Sequence, residues 1–334
     1  MKRKKSLKES IIGSRYFSFG ITVLLFAVLY AVGMMIYRGF LKPQVFCNLF
    51  IDNAALIVAT VGISFVLLIG GIDISIGSVV ALTCMTSAQL LANTNLGPVI
   101  VTLTVLAIGV VFGLVQGWLI AEFDMQPFIV TLGGQFFARG LTAIISRETI
   151  DITDSVYTAV ASARIYLAPN AFISVGAVIA LVTLVIGTLV LKYTRFGRNI
   201  YALGGNESSA QLMGLPTKST KISVYMVSGF CSALAGVVYS LIMLSGYPLH
   251  AVGMEMDAIA SSVIGGTLMS GGVAFLPGTL FGVLIEGIIQ TFITFQGTLS
   301  AWWTRIIIAL LLCVFIVVQA VIDRNRHRVN TTEK

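Results

Sequence analysis

Long apolar runs constrain this chain more than any other feature of its sequence. A helix of roughly 17–25 apolar residues can cross a hydrocarbon core of about 30 Å. Lipid offers no hydrogen-bond partners, so the backbone of such a run must be satisfied within the helix itself. The sequence therefore predicts an all-α integral membrane protein with about ten transmembrane helices, at 17–37, 54–70, 76–92, 98–121, 127–146, 171–191, 222–245, 256–271, 274–295 and 302–322.

The composition agrees with a membrane protein. Of the 334 residues, 57% are hydrophobic and only 10% are charged, whereas soluble domains carry about 25% charged residues. The formal net charge of +7 comes from basic residues at the chain ends and in short loops. This distribution indicates membrane topology rather than a nucleic-acid-binding patch.

The basic residues also predict the orientation of the chain. Lys and Arg cluster in segment 1–16, in the connection 193–218 and in the tail 323–334. The positive-inside rule places all three in the cytoplasm, and ten crossings between the two termini are consistent with that placement. Segment 17–322 then forms the transmembrane domain. Its external loop 147–169 serves either as a lid on the bundle or as a contact for an external binding protein.

The connection 193–218 contains the polar stretch RFGRNIYALGGNESSAQLMG. Asn206 is a favourable N-cap, and Glu207 lies where the helix dipole favours an acid. Gly214 can adopt the left-handed conformation that ends a helix, and Pro216 prevents continuation. We therefore expect a two-turn helix over 207–213. Such a helix is marginal alone, so it packs either on its own protein or on a partner.

Segment 70–78, with the sequence GGIDISIGS, places an aspartate among glycines between two apolar runs. Such interruptions persist in a membrane only where protein or water satisfies the backbone, and an ionisable residue there suggests function. Asp73 either caps the helix that begins near Ile74 or contacts substrate. Both readings remain open from the sequence.

A second glycine cluster lies in segment 264–278, with the sequence IGGTLMSGGVAFLPG. Small residues allow close helix approach, and Pro277 predicts a kink near the start of the ninth span. The cluster acts either in close packing or as a gating hinge. The candidate residues are Gly265, Gly266, Gly271 and Gly272.

Two further charges, Arg139 and Glu286, lie inside predicted spans. At about 1.5 Å per residue, both lie roughly 10–14 Å below the outer boundary. Equal depth predicts an ion pair between them, because an unpaired charge at that depth is costly. Together with Asp73, they are the candidate polar or gating residues within the membrane.

The sequence contains no catalytic constellation. It has two histidines, no HExxH, no GxSxG and no metal-spaced cluster. The Walker A pattern GxxxxGK[ST] is also absent. We therefore expect a transport subunit rather than an enzyme, with no cofactor of its own, and any ATP must be hydrolysed by another chain.

Three segments carry a resemblance to a known family: 70–78, 194–214 and 257–282. In this order and placement they resemble the permease subunits of bacterial ABC sugar importers of the ribose class. The likeness extends from about residue 17 to 322. It implies the fold of the vitamin B12-importer (type II) permeases, with ten helices and both termini in the cytoplasm of a multi-pass inner-membrane protein.

The resemblance also implies partners. An ABC ATPase hydrolyses ATP with Mg²⁺, a periplasmic sugar-binding protein delivers a small sugar, and a second similar permease, or a second copy of this chain, completes the pore. The polar helix resembles a coupling helix that docks on the ATPase, with Ala210 and Met213 as expected contacts. Its docking residues would be Asn206, Glu207, Ser208, Ser209, Ala210, Gln211, Leu212 and Met213.

Segments 48–75, 201–214 and 288–306 look like a permease of the galactofuranose importer in particular. The alternative within the family is a permease for ribose, xylose or another monosaccharide in a homodimeric importer. The alternative outside it is an ion-coupled secondary transporter, in which Asp73, Arg139 and Glu286 would form a relay.

Overall fold

The computed structural model describes residues 15–297, 302–303, 305–315 and 317, which are mostly helical. Most of the basic segment 1–16 and all of 323–334 lie outside the described residues. The described helices are α1 Arg15–Ile36, α2 Pro43–Asp52, α3 Ala54–Leu68, α4 Ile76–Asn93, α5 Pro98–Glu122, α6 Pro127–Ile145, α7 Ser155–Ser162, α8 Val175–Tyr193, α9 Arg195–Gly205, α10 Glu207–Leu212, α11 Thr217–Met243, α12 Met254–Ile264, α13 Leu276–Gln296 and α14 Arg305–Phe315.

Seven of the described helices are long and apolar enough to cross a membrane. These are α1, α4, α5, α6, α8, α11 and α13. Helices α2 and α3 qualify together as an eighth span that bends by 51° at Asn53. The chain is therefore a polytopic helical protein, and eight of the ten predicted spans have a counterpart of full length among the described residues.

The structure differs from the expectation at the predicted span 256–271. Helix α12 ends at Ile264, and the chain from Gly265 to Phe275 is not helical. Gly266, Gly271 and Gly272 have positive φ angles of 98°, 86° and 77°, a conformation that ends a helix. The glycines thus create a break. In the run 302–322, residues 302–303, 305–315 and 317 are helical, and the others lie outside the described residues.

Helix α3 forms the centre of the bundle, and every residue from Ala54 to Leu68 is buried. It packs against α8, α11 and α12, while α11 also packs along α5. The α5–α11 contact is close because a Cβ on Gly109 would lie 2.4 Å from the Gly229 carbonyl oxygen, and one on Gly229 would lie 2.1 Å from that of Gly109. Close approach through small residues is typical of membrane helices.

A folded cover lies at the end of the bundle opposite α9 and α10. Strand β1 (Ile150–Asp151) pairs antiparallel with β4 (Ser245–Gly246), and β2 (Arg164–Ala168) pairs antiparallel with β3 (Ala171–Ser174). Loop 147–169 contains the short helix α7, capped by Asp154, whose Oδ1 accepts the Tyr157 backbone N–H at 2.8 Å. The buried Tyr157 hydroxyl lies 2.5 Å from Ser240 Oγ, which anchors the cover to α11.

Candidate functional site

Helices α9 and α10 form a polar helix pair between the long helices α8 and α11. Thr194 caps α9, since its Oγ1 accepts the Gly197 N–H at 3.1 Å. Asn206 caps α10, since its Oδ1 accepts the Ser209 N–H at 2.7 Å. Gly214 then ends the pair with a φ of 75°. The cap and the terminator expected from the sequence are both confirmed.

Most of α10 faces away from the rest of the chain. Leu212 and Met213 are 89% and 68% exposed, and the other exposed residues are Asn206, Glu207, Ser208, Ser209 and Gln211. Ala210 is an exception because it is fully buried. The expectation that Ala210 offers a contact to a partner is therefore wrong: its methyl group packs inside the chain, while Leu212 and Met213 form the free apolar tip.

The inner face of the pair is fixed to the membrane helices. Ile200 and Leu203 of α9 are buried, and the Tyr201 hydroxyl donates to the Ala274 carbonyl at 3.1 Å. On the other side of α10, Lys221 of α11 forms an ion pair with Glu207. The pair is thus attached to the bundle on both sides.

Four glycines connect this pair to two breaks in the membrane helices. We call Gly70, Gly204, Gly271 and Gly272 the glycine junction. The Gly272 N–H donates to the Leu68 carbonyl at 2.9 Å, and a Cβ on Gly204 would lie 1.8 Å from that same oxygen. Backbones from the end of α3, the end of α9 and the 265–275 segment therefore meet without intervening side chains.

Asp73 lies in the extended connection between α3 and α4 and is buried. Its Oδ1 accepts the Ser75 N–H at 2.9 Å and the Ser75 hydroxyl at 2.6 Å, and its Oδ2 accepts the Ser228 hydroxyl at 2.6 Å. Ser228 is eleven residues into α11, about 16 Å along its axis. Helix α4 therefore begins deep inside the bundle. Its N-cap is Ser75, with no side-chain cap, so Asp73 is not the helix cap that was expected but supports that start by accepting the Ser75 N–H.

Arg139 does not pair with Glu286 in the structure. Its guanidinium Nη1 donates to the carbonyl oxygens of Pro248 and His250 at 2.7 and 2.8 Å. No salt bridge joins Arg139 to Glu286 within the described part of the chain. The predicted ion pair is wrong because the loop after β4 reaches the guanidinium and supplies its acceptors.

The loop that holds Arg139 is itself polar. Burial and the positive charge of Arg139 lower the pKa of His250 below its usual range, so the imidazole is neutral at pH 7. Glu255, at the start of α12, is buried and accepts a hydrogen bond from Gln135 Nε2 at 3.1 Å. Sequence reasoning missed Glu255, although an acid at the edge of a predicted span was a signal that pointed to it.

Gly265 acts in close packing rather than beside the junction. A Cβ on it would lie 2.4 Å from the Thr279 Cα at the start of α13. Gly266, Gly271 and Gly272 instead shape the break after α12. Close packing, one of the two roles that the sequence left open, is therefore observed at Gly265, and a gating hinge at Gly266, Gly271 and Gly272 stays a prediction.

A family model described as "Branched-chain amino acid transport system / permease component" matches residues 45–316. This chain belongs to that family. The match includes Asp73, the helix pair and the glycine junction, so the described geometry is that of a permease component. No solved structure matches the chain at a significant level.

Three curated relatives are similar to this chain over most of its length. The inner membrane ABC transporter permease protein YjfF of Escherichia coli K12 is 44% identical over 90% of each chain. The fructose import permease protein FruG of Bifidobacterium longum is 40% identical, over 89% of this chain and 88% of its own. The ribose import permease protein RbsC of Haemophilus influenzae is 35% identical, over 86% and 88%.

The first is named as a permease of an ABC transporter, and the other two as import permeases for fructose and for ribose; all three are transport components and not enzymes. Together with the apolar spans, they identify this chain as a multi-pass inner-membrane permease component of that kind. ABC importers imply an ATPase and a binding protein as partners.

Proposed function

We propose that this chain forms the translocation path of an ATP-driven importer of a small sugar and docks its ATPase through α9 and α10. The main support for docking is the exposed tip of α10, formed by Leu212 and Met213. This tip lies on a capped helix pair that is fixed to two membrane helices. An apolar tip surrounded by polar residues is typical of a protein contact. The proposal places α9, α10 and both termini in the cytoplasm.

The glycine junction supports a coupling route. When an ATPase pair closes on ATP and Mg²⁺, α10 moves with it. Gly204 then transmits that movement to the end of α3 and to the 265–275 segment, because direct backbone contacts without intervening side chains are close-packed and deform little. The movement biases an equilibrium between inward-open and outward-open states. In this mechanism Asp73, Gly266, Gly271 and Gly272 hold the segments that move.

The remaining partners complete the importer. A sugar-binding protein delivers substrate to the end that carries β1, α7 and the β2–β3 hairpin. A second permease lies beside this one and is either a similar gene product or another copy of this chain.

For the substrate we propose galactofuranose. The support is the resemblance of segments 48–75, 201–214 and 288–306 to a permease of the galactofuranose importer. Ribose, xylose or another monosaccharide is the alternative, and relatives named for fructose and ribose import keep it open.

Copurification tests the docking proposal. The tagged chain is expressed with its genomic neighbours, and proteins that elute with it in detergent are identified. An ATPase and a second similar permease are expected. An ATPase with this permease alone would favour a homodimer, and a transporting complex without any ATPase would overturn the proposal.

The tip itself is tested by Leu212→Asp, alone and with Met213→Asp. A charge placed in the contact should reduce ATPase recovery at least about tenfold. The control is Leu167→Asp, also on an exposed leucine but at the opposite end of the bundle. Equal ATPase recovery from all three variants would show that α10 does not dock.

Uptake tests the substrate. Cells that express the complete importer are given radiolabelled D-galactose, which contains its furanose form at equilibrium, with unlabelled ribose, xylose or fructose as competitor. Poor competition by all three supports galactofuranose. Strong competition by one of them assigns the importer to that sugar.

A further inference from the structure

A cavity of about 680 Å³ opens at the end of the bundle opposite α9 and α10. Tyr239 and Met243 line it from the C-terminal end of α11, the end far from the helix pair. The bend between α2 and α3 contributes Asp52 and Asn53, and α12 contributes Asp257. The volume lies within the range of small-molecule sites, about 300–1,000 Å³.

One face of α13 forms a wall of this cavity. Glu286, Gln290, Ile293 and Thr294 line it at helical spacing. Gln290 is exposed near the mouth, while Glu286 lies four residues earlier in α13, about 6 Å deeper along the helix axis. The polar groups therefore extend from the opening to the base.

Glu286 at the base is buried beside the Ser261 hydroxyl. It is only 4% exposed, and its Oε1 has no hydrogen-bond partner among the described residues. The Ser261 hydroxyl lies next to Glu286. It is also buried, and neither it nor Glu286 Oε1 makes a hydrogen bond of good geometry among the described residues. Buried polar atoms are normally satisfied, so this oxygen points to a ligand that donates a hydrogen bond.

The charges of the lining limit the ligand. Asp52, Asp257 and Glu286 are acidic, and Arg305 is the one basic residue among the lining residues. Arg305 is partly engaged, since its Nη2 donates to the Val252 carbonyl at 3.0 Å. An acidic cavity repels phosphorylated sugars and uronates. The described residues contain no group of acids, His or Cys arranged to hold a metal ion.

A neutral polyol is a ligand that this lining can bind. Hydroxyl groups donate to carboxylates and accept from Gln290 and Arg305. The apolar side chains of Tyr239, Ile242 and Met243 can cover the C–H face of a sugar ring. Gly287 lets α13 approach the bend, since a Cβ there would lie 2.5 Å from Asn53 Nδ2.

We infer that this cavity is a sugar-binding site of the permease itself, with Glu286 as the residue that binds hydroxyl groups, in an acidic lining that excludes anionic sugars. The inference rests on the proposed function for its substrate class, but its test needs no ATP-driven uptake. Specificity then resides partly in the permease and not only in an external binding protein.

Cysteine protection tests the site. The full chain is expressed with its partners in spheroplasts, with the exposed Cys313 replaced by Ser. Gln290→Cys is labelled with a membrane-impermeant methanethiosulfonate reagent, with and without D-galactose. The control is Ser162→Cys, exposed on α7 outside the cavity. Galactose should slow labelling at position 290 and leave position 162 unchanged.

Two comparisons define the specificity. D-Galacturonate, which adds a carboxylate to the same ring, should not protect. Glu286→Gln in the Gln290→Cys background should label at the same rate without sugar, which shows an intact cavity, but need about tenfold more galactose for protection. Glu148→Gln, an exposed acid outside the cavity, should leave the protecting concentration unchanged.

The following outcomes at the cavity would overturn the inference. Absence of labelling at position 290 shows that the cavity is closed from outside. Labelling that no sugar slows shows that it is not a sugar site. Equal protection by galacturonate removes the exclusion of anionic sugars, unchanged protection in Glu286→Gln removes the role of Glu286, and protection by D-galactosamine alone identifies an organic cation site. Loss of ATP-driven uptake with protection intact would instead count against the proposed function.

Discussion

At the scale of single residues, Gly204 carries the strictest requirement in the helix pair. A Cβ there would lie 1.8 Å from the Leu68 carbonyl oxygen and 2.8 Å from the Gly272 N. Both neighbours are backbone atoms of other segments, so neither can rotate away. By contrast, a Cβ on Gly205 meets nothing within 4 Å.

Gly204→Ala should therefore damage the permease, and Gly205→Ala should not. Overpacking of this kind costs about 1–3 kcal/mol, and here it separates α9 from α3 and from the 265–275 segment. We expect a lower thermal unfolding midpoint in detergent and reduced uptake for Gly204→Ala. Matching midpoints and uptake rates for the two alanine variants would contradict a tight junction at Gly204.

Asp73 shows how far residues alone could predict this site. A carboxylate between glycine-interrupted runs was sufficient to predict a polar contact at the start of α4, although the N-cap is Ser75 and not Asp73, and its bonds to Ser75 are local. The bond to Ser228 joins positions 155 residues apart, and only tertiary packing brings them together. The same limit explains Arg139, whose acceptors lie in a loop more than 100 residues away.

At the scale of elements, the sequence predicted α10 but not α9. Helix α10 has a cap, an acid in its first turn and a glycine after its end, all legible in the sequence. Helix α9 contains Gly197, Gly204 and Gly205, which disfavour a helix. Burial of Ile200 and Leu203 outweighs that propensity, and this burial exists only in the folded bundle.

The cap on α10 gives a prediction for this element. A helix of six residues is marginal, and Asn206 satisfies one of its free N–H groups at 2.7 Å. Asn206→Ala should cost about 1 kcal/mol of local helix stability and weaken ATPase binding roughly fivefold, measured by titrating the ATPase onto the permease in nanodiscs. Asn206→Ser, which keeps a capping oxygen, should bind almost as well as the parent. If Asn206→Ala bound the ATPase as tightly as the parent, the order of α10 would not limit docking.

At the scale of the whole molecule, the length of the apolar runs predicted the membrane spans well where the chain is continuously helical. It overcounted where glycines interrupt, because hydropathy does not distinguish a helix from buried irregular backbone. Segment 265–275 is apolar enough to resemble part of a span, yet its backbone bonds run to α3 through Leu68 and to α9 through Ala274. Irregular backbone is tolerated at this depth because protein surrounds it.

The orientation of the molecule is the last prediction. Helices α7 and α10 lie at opposite ends of the bundle, and the basic residues around α10 predict that this end is cytoplasmic. With Cys313 replaced by Ser, an impermeant thiol reagent should label Ser162→Cys in intact spheroplasts. It should label Ser208→Cys only after the membrane is permeabilised. Both positions are exposed, so access and not burial decides the result. The reverse pattern would place α10 outside, where no ATP is available, and the coupling proposal would fail with it.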